Sequence, residues 1–260
     1  YALWEKRCSC DNKYFTNLNI IKRFSKSELT MNIDPSEKEK FNKIAEEWWD
    51  PDGKFAPLHV INPLRSNYIS EKIELQGIKA LDVACGGGLL AESLHCKGAN
   101  VTGVDISEVA IHTAKKHAEK KEFEINYLNC EAEDLLPSQK NSFDLVTCLE
   151  AIEHVPEPAK LVKTCSDLCK SGGTIVFSTI NRNPKSFLFA IVGAEYVLNL
   201  LPKGTHEYNK FIKPSELSSM MRDNFLEVCE VKGMSYNPIT KNYWLGKNVD
   251  VNYLIHAKKR

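Results

Sequence analysis

The chain has 260 residues, and its 34 basic and 34 acidic side chains give a formal net charge of zero. This balance argues against a nucleic-acid binder, which normally carries a basic excess. A hydrophobic fraction of 43% and a charged fraction of 26% are ordinary for a globular protein, and the length favours one domain with extensions. The nine scattered cysteines indicate reduced thiols rather than a disulfide framework.

Residues 1–34 are predicted to be a basic leader that precedes a folded domain of residues 35–260. The leader carries more lysine and arginine than acidic residues, together with serines and scattered hydrophobic residues. This composition is typical of a mitochondrial transit-peptide remnant or of a disordered basic arm. No run of about 18 apolar residues occurs, so the sequence predicts no membrane-spanning helix.

The domain opens with a predicted helical segment, residues 35–75. Charged and apolar residues alternate at helical spacing over residues 35–49, and Asp50-Pro-Asp-Gly then predicts a turn. A second helix is expected over residues 63–73, with Pro63 in its first turn.

Short apolar runs and helical stretches then alternate, which predicts an α/β fold. Such alternation is typical of a mostly parallel sheet with helices on both faces. Counting a C-terminal antiparallel hairpin at the sheet edge, we expect a seven-stranded Rossmann-like sheet. The expected strands are residues 78–83, 100–104, 125–129, 143–148, 174–178, 226–235 and 251–258.

The turn after the first strand is glycine-rich and predicts a ligand-binding loop. It reads Leu81-Asp-Val-Ala-Cys-Gly-Gly-Gly, and Asp105 ends the next strand. Glycines such as Gly86 let the backbone approach a ligand, and an acidic side chain at position 105 can accept hydrogen bonds from both hydroxyls of a ribose. A dinucleotide or S-adenosylmethionine would suit this pattern. Asp82 favours S-adenosylmethionine, because a carboxylate suits an ammonium and a sulfonium better than a pyrophosphate.

The stretch from Asp82 to Asp144 resembles the class I S-adenosylmethionine-dependent methyltransferases, in which an acid after the third strand contacts adenine. Residues 131–134, Glu-Ala-Glu-Asp, occupy that place. Ala84 replaces the first glycine of the usual loop pattern. If this position requires a positive φ, alanine is strained there; if it requires only a small side chain, alanine is tolerated.

Glu150, Glu153 and His154 follow the fourth strand at spacings that place all three on one face of a helical turn. Two carboxylates and an imidazole suit a divalent cation. Solvated acids beside a structural histidine are the alternative interpretation of the same spacing.

A closer resemblance extends over about five sixths of the chain, from Phe41 onward. The sequence is similar to the ubiquinone-biosynthesis O-methyltransferase family. The stretches that carry this resemblance include residues 48–53 (WWDPDG), 57–59 (PLH), 61–65 (INPLR), 150–156 (EAIEHVP), 178–183 (STINRN), 192–196 (VGAEY), 202–206 (PKGTH), 210–214 (KFIKP), 236–240 (YNPIT) and 249–253 (VDVNY).

The resemblance implies a role for each matching residue. Arg65 is expected to contact the cofactor, at its carboxylate, and Asp105 to hold its ribose. Ala84 and Leu149 occupy positions that touch the cofactor. Glu150, Glu153 and His154 match positions that bind Mg²⁺ in the family.

The implied reaction is methylation of a hydroxyl on a polyprenylated dihydroxybenzoate or demethylubiquinol. Mg²⁺ on the acceptor oxygen would favour the phenolate. His154 acting as a general base without metal is the second mechanism, and Glu150 is the other expected catalytic residue. The implied location is the matrix face of the mitochondrial inner membrane, with other ubiquinone-biosynthesis proteins as partners; a membrane-associated protein of the bacterial cytoplasm is the alternative.

Residues 184–205 form an apolar insertion that contains SFLFAIVGAEYVLNLL. It is too short and too polar to span a bilayer. A buried lid over the active site is one interpretation, and an interfacial element that collects a long-tailed lipid is the other.

Four further functions are alternatives to this assignment. A methyltransferase for another small catechol or lipid would share every cofactor motif. An NAD-dependent oxidoreductase is disfavoured by Asp82, whereas a non-catalytic partner of a biosynthetic complex would explain Ala84 as decay. A nucleic-acid methyltransferase is disfavoured, because no base-clamp motif of the N-P-P-Y type follows the fourth strand.

Overall fold

A computed structural model describes residues 32–186, 207–237, 240 and 242–260. Most of the predicted leader and most of the apolar insertion lie outside these ranges. No helix among the described residues is long and apolar enough to cross a membrane. The seven cysteines in the described part of the chain form no disulfide.

The N-terminal segment contains two α-helices separated by a 3₁₀ turn. Helix α1 spans Pro35–Asn42, the 3₁₀ turn Ala45–Glu47, and α2 Ala56–Ser70. Pro63 was predicted to begin the second helix, but it lies inside α2. A different proline, Pro57, occupies the first turn, where its missing N–H costs no hydrogen bond.

The remaining helices and strands alternate as the sequence predicted. The strands are β1 (Lys79–Val83), β2 (Asn100–Asp105), β3 (Asn126–Asn129), β4 (Phe143–Leu149), β5 (Cys169–Ile180), β6 (Leu226–Asn237), β7 (Asn242–Gly246) and β8 (Asn252–Lys259). The helices are α3 (Leu89–Cys96), α4 (Glu108–Lys120), α5 (Leu136–Gln139), α6 (Pro158–Leu168), α7 (Pro184–Ser186) and α8 (Pro214–Asp223), with 3₁₀ turns at Ala132–Leu135, Ile152–His154 and Tyr208–Lys210.

The strands form one mixed sheet in the order β3-β2-β1-β4-β5-β8-β6-β7. The first five strands of this order are parallel, and β8, β6 and β7 are paired antiparallel. The prediction of a mostly parallel sheet with a C-terminal antiparallel part is therefore confirmed.

The strand count was wrong by one, because the sheet has eight strands rather than seven. The additional strand is β7, which lies between the strands expected over residues 226–235 and 251–258. It pairs with β6, and its Tyr243 and Leu245 pack against the core. A five-residue edge strand that ends in glycine has too weak an alternation to be distinguished from a turn.

Two hydrophobic clusters cover the two faces of the sheet. Residues of α6 and α8 pack on one face, and residues of α2, α3 and α4 pack on the other. Ser107 caps α4, since its Oγ accepts the Ala110 N–H at 3.0 Å. The carboxyl ends of β1, β2 and β4 consequently meet at one rim of the sheet, where ligands bind in such folds.

Candidate active site

A cavity of about 930 Å³ lies at this rim. Its lining includes all nine residues that the sequence selected: Arg65, Asp82, Ala84, Gly86, Asp105, Leu149, Glu150, Glu153 and His154. The structure thus brings the predicted cofactor residues and the predicted catalytic residues to one cavity of a size suited to small-molecule ligands.

Asp82 is buried at the end of β1, and the Thr147 hydroxyl donates to its Oδ1 at 2.8 Å. Burial penalises the charged carboxylate and raises the pKa of Asp82 to about 7. A ligand cation placed beside this carboxyl would favour the ionised form.

Ala84 has a φ of 55°. This value decides between the two interpretations of the missing glycine: the position requires left-handed backbone, and alanine is strained there. Such strain costs on the order of 1–2 kcal/mol relative to right-handed backbone.

Gly86 and Gly87 are required by a contact that the sequence did not reveal. A Cβ on Gly86 would lie 2.1 Å from Cη2 of Trp48, and one on Gly87 would lie 2.2 Å from its Cγ. The indole of Trp48 therefore lies flat on the loop backbone. The Trp48 ring leaves no room for a side chain at either position, so the two glycines are needed for this packing as well as for the close approach of a ligand.

Asp105 fixes the loop from the neighbouring strand. Its Oδ2 accepts the Gly86 N–H at 2.9 Å, and its Oδ1 accepts the Ser107 N–H at 2.8 Å. Burial raises the pKa of Asp105, although these two N–H groups favour the charged form. The carboxylate is thus held at the rim with each oxygen oriented.

Glu150 follows β4 with a φ of 53° and is surrounded by donors. Its Oε1 accepts from Arg65 at 2.6 Å and from the Ser178 hydroxyl at 2.7 Å. The Asn252 amide donates to both carboxylate oxygens, at 3.1 and 3.0 Å. The Glu150 carboxylate therefore accepts hydrogen bonds from three side chains, which come from α2, β5 and β8.

His154 forms a pair with Glu37, a residue that the sequence did not single out. His154 Nδ1 lies 3.0 Å from Glu37 Oε2, and Lys40 and Lys210 also donate to Glu37. Burial opposes ionisation of Glu37, but the bonds from His154 and Lys40 outweigh it and lower the pKa to about 2. Burial also opposes the imidazolium, yet the Glu37 carboxylate raises the pKa of His154 above its usual value.

Glu153 is 3% exposed, and neither of its carboxyl oxygens has a hydrogen-bond partner of ordinary geometry among the described residues. The hydroxyl of Thr179 lies close enough to favour the charged form slightly, but burial dominates and raises the pKa of Glu153.

These contacts do not support the predicted Mg²⁺ site. Glu150 is engaged by Arg65, Ser178 and Asn252, and Nδ1 of His154 by Glu37. Within the part of the chain that the structure describes, no group of three His, Cys, Asp or Glu side chains is arranged to hold a metal. The donor set as it stands does not fit the ion, because two of the three predicted ligands already have other partners.

Glu37, Trp48 and Asn252 are the residues of this site to which sequence reasoning gave no role. Glu37 lies 117 residues from His154, and no local pattern links them. Trp48 and Asn252 stand within two stretches that carry the family resemblance, WWDPDG and VDVNY. The family motifs could therefore have marked both residues as candidates, although the spacing of residues in the sequence does not show what either side chain contacts.

The fold and cavity are those of a class I S-adenosylmethionine-dependent methyltransferase. Residues 81–177 match the family model described as "Methyltransferase domain". Magnesium protoporphyrin IX methyltransferase from Synechocystis, solved with bound SAH, shares the fold with a TM-score of 0.62 at 16% identity, covering 87% of this chain and 99% of that chain. A SAM-dependent methyltransferase from Aquifex aeolicus gives 0.58 at 16% identity, covering 86% and 98%.

Sequence relatives identify the family within this class. The ubiquinone biosynthesis O-methyltransferase of Marinobacter nauticus is 56% identical over 229 residues, which is 87% of this chain and 96% of the relative. That of Nitrosospira multiformis is 54% identical over 226 residues, 87% of this chain and 95% of the relative. The chain belongs to the ubiquinone biosynthesis O-methyltransferase family and is an S-adenosylmethionine-dependent O-methyltransferase.

Proposed function

We propose that this enzyme methylates phenolic hydroxyls of polyprenylated dihydroxybenzoate and demethylubiquinol intermediates in ubiquinone biosynthesis. The observation that carries the mechanism is the His154–Glu37 pair in the same cavity as Asp82 and Asp105. The names of the bacterial relatives support the substrate class.

The rim at β1 and β2 is the proposed cofactor end. When bound, S-adenosylmethionine supplies a methyl group on a positively charged sulfur, which is neutral after transfer. Asp105 accepts hydrogen bonds from the ribose hydroxyls, and Asp82 pairs with the ammonium. Gly86 and Ala84 supply the loop backbone, and Leu149 contributes an apolar contact.

The turn after β4 is the proposed acceptor end. A neutral phenol is a weak nucleophile near pH 7, so the hydroxyl must lose its proton as its oxygen attacks the methyl carbon. With Nδ1–H donating to Glu37, the neutral imidazole of His154 carries its basic lone pair on Nε2 and accepts that proton. Glu150 acts by positioning Arg65 and Asn252 rather than by taking a proton.

Mg²⁺ remains the alternative to this general-base route. It would require Glu150 to exchange Arg65, Ser178 and Asn252 for the ion, and the charged form of Glu153, which burial disfavours, to coordinate it. We therefore assign no step to the metal, and the experiment below separates the two routes.

The polyprenyl tail of the substrate suggests peripheral association with a membrane. The proposed contact is the apolar insertion 184–205, almost all of which lies outside the described residues. The leader 1–34 and a mitochondrial location stay predictions, and the relatives compared above are bacterial. Other ubiquinone-biosynthesis proteins are the proposed partners.

The first experiment is transfer of a labelled methyl group from S-adenosylmethionine to a short-prenyl dihydroxybenzoate, with EDTA and with added Mg²⁺. Transfer that is unaffected by EDTA and lost in His154→Ala supports the general-base route. Transfer that requires Mg²⁺ restores the metal site. Methylation of unprenylated catechols at equal kcat/KM would instead favour the broader substrate class.

A further inference from the structure

Two neighbouring tryptophans of the WWDPDG stretch lie against the glycine loop, but only one uses its N–H. Trp49 Nε1 donates to the Gly87 carbonyl at 2.9 Å, and its ring stacks on His117 with centroids 3.5 Å apart. Trp48 Nε1 is buried and has no hydrogen-bond partner among the described residues. A buried unpaired N–H costs free energy, so this donor is expected to have a partner in the working enzyme.

The Trp48 indole lines the cavity and is held in place. Only 9% of the residue is exposed, its ring stacks on Phe55 with centroids 3.9 Å apart, and its carbonyl is 2.8 Å from His59 Nε2. The ring rests on Gly86 and Gly87, so the donor lies beside the loop assigned to the cofactor. A side chain fixed in this way binds a ligand without losing further conformational freedom.

The other unpartnered polar atoms of the cavity lining show which ligand group suits Trp48. Among the described residues, Arg65 Nε is the second buried donor of the lining without a partner, while Glu133 Oε1, both oxygens of Glu153 and Asn252 Oδ1 are acceptors without one. The methyl donor carries an ammonium, a sulfonium and one carboxylate. Of these three charged groups only the carboxylate accepts hydrogen bonds, and a charged acceptor forms the stronger bond with a buried N–H donor such as that of Trp48 or Arg65.

We propose that the indole N–H of Trp48 hydrogen-bonds the methionyl carboxylate of the cofactor, together with Arg65 Nε. This inference rests on the proposed cofactor end but not on the identity of the acceptor. It assigns a binding role to the first tryptophan of the stretch and leaves the second with a structural role.

The test compares two cofactor ligands that differ in the amino-acid portion. S-adenosylhomocysteine has the carboxylate, and 5′-methylthioadenosine has the same adenosine without it. For Trp48→Phe, calorimetry is expected to show roughly ten- to a hundredfold weaker binding of S-adenosylhomocysteine, because one hydrogen bond to a charged group is lost. Binding of 5′-methylthioadenosine is expected to stay within about twofold, which also shows that the cavity has folded.

Trp244→Phe is the matched control, because this tryptophan also lines the cavity but is half exposed and lies on β7. It is expected to bind both ligands as the unchanged enzyme does. If Trp48→Phe does not fold, benzothienylalanine at position 48 keeps the ring shape and removes only the N–H. Unchanged S-adenosylhomocysteine affinity, or an equal loss for both ligands, overturns the inference. Cofactor binding that behaves as expected in an enzyme inactive on phenols overturns the proposed substrate and leaves this inference standing.

Discussion

The two ends of the cavity are built in different ways. At the proposed cofactor end, Asp82, Ala84 and Gly86 stand within five residues, and Asp105 lies on the adjacent strand. At the proposed acceptor end, His154 contacts Glu37 from α1, and Glu150 contacts Asn252 from β8. Apart from Arg65 and Trp48, which come from the N-terminal segment, the first end is thus encoded by a strand-loop-helix unit, and the second by contacts between distant parts of the chain. Mutations should therefore separate cofactor binding from methyl transfer.

The largest expected effect is at the acceptor end. His154→Ala removes the proposed base, and kcat should fall by roughly 10²–10⁴-fold. The affinity for S-adenosylhomocysteine should stay unchanged, because Asp82 and Asp105 are untouched. Single-turnover methyl transfer and calorimetry on the same preparation measure the two quantities.

Glu37→Gln is the matched variant for the distant contact. The base acts in its neutral form, so activity falls as pH decreases through the pKa of His154, which Glu37 raises. Removing the carboxylate charge lowers that pKa and should move the acidic limb of the kcat profile to lower pH. A limb that stays in place, or an S-adenosylhomocysteine affinity that falls together with kcat, would contradict the separation of the two ends.

The next effect concerns the glycine loop. Gly86→Ala places a Cβ 2.1 Å from the Trp48 ring and keeps a φ of 53°, so strain and overpacking should together destabilise the fold by roughly 2–5 kcal/mol. Gly172→Ala is the control, because its φ of 77° is equally unfavourable but no atom lies within 4 Å. It should lose only about 1–2 kcal/mol in urea unfolding. Equal losses would show that the Trp48 contact is not what requires glycine at position 86.

The same contrast explains what could be predicted from the sequence. Alternating apolar runs, the glycine loop and Asp105 are local patterns; the fold followed from them, and the proposed cofactor end rests on them. Glu37 and Asn252 have no local signature, because their roles arise only when the chain brings them to His154 and Glu150. The metal site was predicted because the spacing of Glu150, Glu153 and His154 places the three side chains on one face of a turn. The spacing could not show that Arg65 and Ser178, from distant parts of the chain, already donate hydrogen bonds to Glu150.

A smaller effect should appear in the pH dependence of cofactor affinity. Asp82 has a pKa raised to about 7, and its ionised form is the one proposed to pair with the cofactor ammonium. Below that pH the carboxyl is protonated, so affinity for S-adenosylhomocysteine should fall by up to about tenfold per pH unit and level off above it. Calorimetry from about pH 5.5 to about pH 8.5, on both sides of that pKa, measures this dependence. Asp82→Asn should bind weakly at every pH, and a slope that persists in this variant would assign the titration to another group.

The smallest effect tests the strained position within the otherwise local cofactor end. Ala84→Gly removes the cost of holding alanine at a φ of 55°, and the more flexible unfolded chain offsets part of that gain. The net expectation is roughly 0.5–1 kcal/mol of added stability in urea unfolding, with S-adenosylhomocysteine affinity equal or higher. Ala118→Gly, inside helix α4, is the opposite control and should lose about 1 kcal/mol or more. If both glycine variants lose stability, the left-handed backbone at position 84 is not the native conformation, and alanine is there because its side chain packs.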